Sequence, residues 1–180
     1  IMAVFATTKL GGFDVGDGTI MNVRDAAPLC AGLIFGAPAG IIAGIIGGVY
    51  RYFAVYFGYA GAYTQIACSV STILAGFFAA ILRHYMFDDK KPTWIYGLGI
   101  GMVTEVLHML MIFFTNMDDA VTAFEFVKIC TLPMVIGNGL AVGIAIFAVA
   151  LIGREKGRDK KEQKQISQTF QGWLLTCIVI

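Results

Sequence analysis

The chain has 180 residues, of which 58% are hydrophobic and 14% charged, with a formal net charge of +1 at neutral pH, and its mean hydropathy is +0.77. A soluble domain of ordinary composition carries roughly 25% charged residues, so the sequence describes an integral membrane protein whose partner is the lipid bilayer, and so small a net charge points to no nucleic acid. No P-loop, nucleophile elbow or HExxH helix occurs, which removes the common soluble enzyme classes, leaves no catalytic residue to name in this stretch and gives no reason to expect a cofactor.

Stretches of about 20 apolar residues mark helices able to cross a bilayer. Residues 1–6 read as the tail of an earlier helix, since they lack the basic leader and apolar length of a signal peptide. Four complete spans follow at 26–50, 63–82, 94–114 and 131–152. A basic, glutamine-containing stretch then runs to residue 171, and a further apolar segment starts at Trp173. The expected fold is all-α, a polytopic bundle of about five spans with a glycine-rich, broken second helix. Residues 1–152 form the bundle with its first helix truncated, 153–172 a basic linker, and 173–180 the start of something further. Both ends suggest a piece of a longer protein.

Orientation follows from the basic residues. Arg154, Lys156, Arg158, Lys160, Lys161 and Lys164 cluster in the tail, and the positive-inside rule puts that tail in the cytoplasm. Counting back span by span places all 13 Lys and Arg on the inner side except Lys128 and Arg51. Trp94 and Tyr96 add an inner interfacial belt. Cys30, Cys68, Cys130 and Cys177 lie in or beside apolar spans without paired spacing, and read as small buried hydrophobes, not as a disulfide or zinc framework.

The first full span carries glycines four apart at Gly32, Gly36, Gly40, Gly44 and Gly48. Each step of four turns an α-helix by about 400°, so the bare strip lets backbones approach closely, within the chain or across a homodimer. Around Pro38, the run Gly36-Ala37-Pro38-Ala39-Gly40 loses a backbone donor and predicts a break or kink. That break serves either tight packing or a cavity of the kind broken transporter helices line. Pro133 is expected to begin the last helix.

Polar groups inside a bilayer are costly and therefore the default candidates for function. Arg51 caps the outer end of the first full span, Gln65 starts the next, Glu105 and His108 share one helix face at i and i+3, and Asn138 lies in the last span. All fall in the outer half of the bundle. Glu105 and His108 either satisfy one another and tie helices together or line a pocket for a small ligand or ion. A metal site is not expected, because one Glu-x-x-His without further carboxylates leaves a metal under-coordinated.

The motifs Asn22-x-Arg24, Ala31-Gly32-Leu33, Gly36-x-Pro38-x-Gly40 and Gly48-x-x-Arg51 resemble the signature of the five-transmembrane sensor domain of the LytS/YhcK type. Ser69-x-Ser71-Thr72-Ile73 with Gly76, the Glu105-x-x-His108 helix, and Pro133 with Asn138 fit the same family, so the resemblance covers roughly residues 8–152. Many relatives follow Gly-x-x-Arg with a glycine-rich turn, whereas here residues 52–63 are aromatic. The resemblance implies a multi-pass receptor of the bacterial plasma membrane, followed in cis by a cytoplasmic output module such as a histidine kinase, diguanylate cyclase or phosphatase. On the sensor reading, Arg51, Gln65, Glu105, His108 and Asn138 are expected to contact the stimulus, while Asn22, Arg24, Gly32, Gly36, Pro38, Gly40, Gly44 and Gly48 are expected to set and transmit helix position. The competing reading is a solute-binding subunit of an energy-coupling-factor-type transporter.

Overall fold

A computed structural model describes residues 12–14 and 20–153, together with Ile166, Gln168, Thr169, Gln171, Gly172 and Leu175. The partial spans expected at 1–6 and 173–180 and the basic linker lie outside the described residues, apart from those isolated positions.

The molecule is a helical bundle entered through a small hairpin. Strands β1 (Gly12–Asp14) and β2 (Ile20–Asn22) pair antiparallel with Phe13 opposite Met21. Helix α1 (Ala26–Cys30) tolerates Pro28 because first-turn amides have no intrahelical acceptor to lose. It widens into a π-helical turn at Ala31–Phe35 and stops at Gly36, whose φ of +113° is open to glycine and strained for any other residue. Helix α2 (Ala37–Ala54) restarts with Pro38 in its first turn, where a missing N–H costs nothing.

The break is sharper than the kink read from the sequence, for the chain reverses at Gly36. A Cβ placed on Gly40 would lie 2.6 Å from the Cα of Gly32, whereas continuous helix would hold two residues eight apart at about 12 Å. Residues 26–50 are therefore not a single span. They are a short apolar helix and a separate helix long enough to cross, folded against each other.

Helices α3 (Gln65–Tyr85), α4 (Trp94–Thr115) and α5 (Ala120–Ile152) complete the bundle, and α2 to α5 are all long and apolar enough to span a membrane. Asp119 caps α5, its Oδ1 accepting from the Thr122 amide at 3.2 Å. Pro133 lies inside α5 instead of beginning it, so that expectation is corrected. The apolar run continues upstream of the proline, and membrane helices tolerate an interior proline where neighbours re-satisfy the freed carbonyl. At 33 residues and 1.5 Å each, α5 is about 50 Å long against a hydrocarbon core of about 30 Å. Its first turns, carrying the exposed Glu125–Lys128 pair at 3.7 Å, therefore extend beyond the apolar layer.

Two antiparallel pairs dominate the packing, α2 with α3 and α4 with α5. The ladder glycines form the first seam. Gly40 faces the Gly76 carbonyl, Gly44 the carbonyls of Thr72 and Ile73, and Gly48 that of Ser69, while Gly32 of the π-turn abuts Ala79. A second seam joins α4 to α5: Gly101 meets Gly139, with a Cβ on Gly101 lying 2.8 Å from the Asn138 carbonyl oxygen, while Gly97 faces Val142 and Ile146 and Gly143 faces Trp94 and Leu98. Between the pairs sits α1, where Leu29 and Leu33 are buried against Ala79, Leu82, Ile100, Val142 and Ile146. Large apolar side chains such as Ile42, Ile81, Leu110 and Ile144 face outward, as a lipid-solvated exterior requires.

Arg83, at the far end of α3 from Thr64, clamps the π-turn. Its Nη1 donates to the Leu33 carbonyl at 2.7 Å, and Nε and Nη2 donate to the Asp89 carbonyl at 3.0 and 2.8 Å. A carbonyl near a helix C-terminus is thereby satisfied by a cation, the favourable pairing with the helix dipole.

The seam makes a direct prediction. Gly40→Ala places a methyl against backbone that cannot yield, and overpacking of this kind costs about 1–3 kcal/mol. Thermal unfolding in detergent should show a clearly lowered midpoint for Gly40→Ala and none for Gly61→Ala, which meets open space.

Candidate functional site

The reversal at Gly36 delivers the residues preceding α1 to the middle of the bundle. Arg24, expected on the cytoplasmic side, is instead 1% exposed and hydrogen-bonded to α3, because α1 enters at mid-depth instead of crossing. Asn22 braces this entry, its Oδ1 accepting from the Arg24 amide at 3.2 Å. Asp25 follows, 2% exposed.

These residues meet polar groups from three spanning helices. From α3, the Thr72 hydroxyl accepts from Arg24 Nε at 2.9 Å and donates to Asp25 Oδ1 at 2.6 Å, while Arg24 Nε lies 3.7 Å from the same carboxylate oxygen. From α4, His108 Nδ1 lies 2.8 Å from Asp25 Oδ2 and 3.3 Å from Glu105 Oε1. The other ring nitrogen, Nε2, is 3.3 Å from the Cys68 sulfur of α3. From α5, Asn138 accepts the Ala26 amide on Oδ1 at 3.1 Å and donates from Nδ2 to the Met134 carbonyl at 3.2 Å. Asn138 thus satisfies one of the orphan amides that open a helix.

The layer is sandwiched. On the side toward Arg83 lies the apolar cluster around Leu33, Ile100 and Val142, and on the side toward Arg51 a second one of Ala67, Cys68, Met109, Ile112 and Cys130. Glu105 and His108 are 1% and 2% exposed. Both Glu105 oxygens, Asp25 Oδ2, His108 Nδ1 and Arg24 Nη1 have no hydrogen-bond partner among the described residues. The short approaches to His108 Nδ1 are therefore contacts without hydrogen-bond alignment. Leaving a buried ionised group short of partners costs several kcal/mol, so this layer is no device for stability.

Of the residues singled out from sequence, Arg24, Glu105, His108 and Asn138 are gathered into one layer. Arg51 stands at its edge. Its Nη2 donates to the Gly61 carbonyl at 3.1 Å and to Thr64 Oγ1 at 3.0 Å, at the start of the helix that carries Cys68 and Thr72. Gln65 is not brought in: its Nε2 donates to the Tyr52 carbonyl at 2.9 Å, tying the end of α2 to the start of α3. Sequence reasoning missed Asp25 and Thr72 and treated Cys68 as a plain hydrophobe. The adjacency of Asp25 to Arg24 at the mouth of a glycine-rich apolar run was the available signal. Cys30, Cys68 and Cys130 are free thiols, and Cys177 lies outside the described residues.

Comparison with known proteins gives concordant matches. The family model described as 5TMR of 5TMR-LYT matches residues 1–152. The chain is similar to the sensor histidine kinase YpdA of Escherichia coli K12, 28% identical over 151 residues, covering 84% of this chain and 25% of that protein. It is likewise similar to the sensor protein LytS of Staphylococcus saprophyticus, at 29% over 156 residues, and to the sensor histidine kinase/phosphatase LytS of Staphylococcus aureus, at 30% over 156 residues; each match covers 86% of this chain and 25% of the relative. The chain thus spans a quarter of the length of these relatives. No solved structure matches it.

The Thr72 hydroxyl bridges a guanidinium and a carboxylate across two elements. Thr72→Val keeps the shape and removes the bridge, and unmaking such a buried, charge-assisted contact costs about 1–3 kcal/mol. A drop in the unfolding midpoint of the detergent-solubilised protein checks this; an unchanged midpoint would show that Asp25 finds another donor.

Proposed function

The chain belongs to the five-transmembrane receptor family 5TMR of 5TMR-LYT, and on that premise we propose that it detects an external or membrane-borne stimulus and passes the result, by repacking of its helices, to a cytoplasmic output module carried in the same polypeptide. At the coarser level it is a multi-pass membrane sensor domain of the kind found in bacterial two-component signalling. A histidine kinase is the output favoured by the printed names of the relatives, with a phosphatase or diguanylate cyclase as other modules suited to the same relay.

The observation that carries the reading is the layer of Arg24, Asp25, Glu105 and His108, buried and incompletely paired where the two helix pairs meet. Ionisable groups in a membrane interior are retained at a cost in stability and are functional by default. A stimulus that completes their pairing binds one packing better than another, which is the condition for shifting a conformational equilibrium. Arg51, Glu105, His108 and Asn138 are the proposed contacts. Arg24, Asn22 and the Gly36 reversal couple them to helix position, and Gln65 is moved by its position to the coupling role. The glycine seams hold each helix pair together as a unit, within one chain or between two copies, so the repacking is placed at the junction between the pairs. The tail after residue 152 is assigned to the cytoplasm, consistent with its lysines and arginines.

The test uses the full-length receptor with a reporter of its output, read between two growth conditions that switch the wild type. Arg51→Ala is expected to abolish the difference while the amount of folded protein in the membrane stays unchanged. Retention of switching would remove Arg51 from the stimulus contacts, and loss of the folded protein would make its role structural.

A further inference from the structure

We propose that Asp25, Glu105 and His108 form a binding site for a divalent transition-metal ion within the bundle. The inference deepens the ligand role given above to Glu105 and His108 and rests on it. From sequence, Glu105-x-x-His108 alone offers too few ligands; the reversal at Gly36 supplies the missing carboxylate by bringing Asp25 to the same point. One ligand atom from each residue, two carboxylate oxygens and one imidazole nitrogen, lies within 4.8 Å of the others.

Three features argue for a site and against a self-satisfied ion-pair cluster. The atoms that converge, Asp25 Oδ2, Glu105 Oε1 and His108 Nδ1, are among those left without a hydrogen-bond partner. The opposite faces of two of these side chains are engaged: Asp25 Oδ1 accepts from Thr72, and His108 Nε2 faces the Cys68 sulfur. A proton on Nε2 directed to sulfur leaves the Nδ1 lone pair facing the carboxylates, the arrangement in which a second partner orients an imidazole ligand. Finally, Nδ1 lies 2.8 Å from Asp25 Oδ2 and 3.3 Å from Glu105 Oε1, within the roughly 2.8–3.6 Å that separates neighbouring donors held about 2.0–2.2 Å from one ion in octahedral or tetrahedral geometry.

The donor set favours an ion of the zinc, manganese or iron(II) class over calcium or magnesium, which take mostly oxygen ligands. Two ionised carboxylates balance the charge of the ion. Arg24, on the Oδ1 side of Asp25 at 3.7 Å, and Arg51 at the edge oppose binding and set a modest affinity. Three protein ligands leave positions open for water or a small oxygen-donor molecule, with Glu105 Oε2 free to hold it or to bind the ion as a second oxygen.

Co2+ is the probe, added alone to the intact receptor purified in lipid nanodiscs. Expected are one Co2+ retained per chain and visible d–d absorption, with Glu105→Gln and Asp25→Asn each weakening binding by at least about tenfold. His84→Ala is the control, because His84 and Asp89 form an exposed pair at 3.1 Å that could capture an ion adventitiously. Zn2+ should raise the wild-type unfolding midpoint and a chelator should reverse the rise, which keeps the proposal testable if a variant fails to fold. No retained Co2+ in folded protein, uptake unaffected by Glu105→Gln and Asp25→Asn, or uptake lost with His84→Ala overturns it. Uptake is read without any signalling assay, so a receptor that switches normally and takes no metal sinks the ion and leaves the sensing reading intact.

Discussion

The Asp25 carboxylate is the contact on which the arrangement of the bundle turns. One oxygen is held by Thr72 of α3, the other faces His108 of α4, and the next amide in the chain is accepted by Asn138 of α5. Three spanning helices are thereby referred to a single short segment that enters the membrane region only part way. In a medium without water to solvate stray charges, such a segment is confined to the place where its partners already stand. The depth at which α1 begins, and with it the reversal at Gly36, follows from that confinement.

Around this centre the two helix pairs are built differently from the junction between them. Within each pair, glycines allow backbone to meet backbone, and any added carbon would collide with main-chain or inward-facing side-chain atoms. Packing of that kind is stiff, since dispersion contacts fall away quickly with separation. Between the pairs, contact is sparser and is mediated mainly by α1 and the polar layer. The layer thus lies in the more sparsely packed part of the assembly, which is where the proposed sensing mechanism requires leverage. Arg83 links the π-turn after α1 to the loop after α3, donating to the Leu33 and Asp89 carbonyls.

Much of this was legible in the residues. The apolar runs located the helices to within a few residues at most ends, and the intramembrane placement of Glu105, His108 and Asn138 marked them as candidates before any geometry was known. The ladder of glycines signalled close packing correctly for Gly32, Gly40, Gly44 and Gly48, while Gly36, with the same spacing, turned out to be the hinge. Spacing alone cannot separate those roles, because both a seam and a positive φ select for the absence of a side chain. The second seam was equally visible at Gly97 and Gly101 and at Gly139 and Gly143, but was overlooked beside the longer ladder. Pro133 misled because prolines usually mark helix starts in water, a rule that weakens inside a membrane bundle.

What the sequence determined by itself is the solvent and the elements: apolar runs of this length must be helical in a bilayer, where every backbone polar group needs an internal partner. It also determined which side chains would be expensive there. What only the tertiary structure decided is that residues 26–50 double back, that Arg24 is interior, and that Asp25 joins Glu105 and His108 while Gln65 does not. Those outcomes depend on contacts between residues distant in the chain, such as Asp25 with Thr72 and Ala26 with Asn138. Local periodicity carries no information about such partners, because it reports which face of a helix is apolar and not which helix that face will meet.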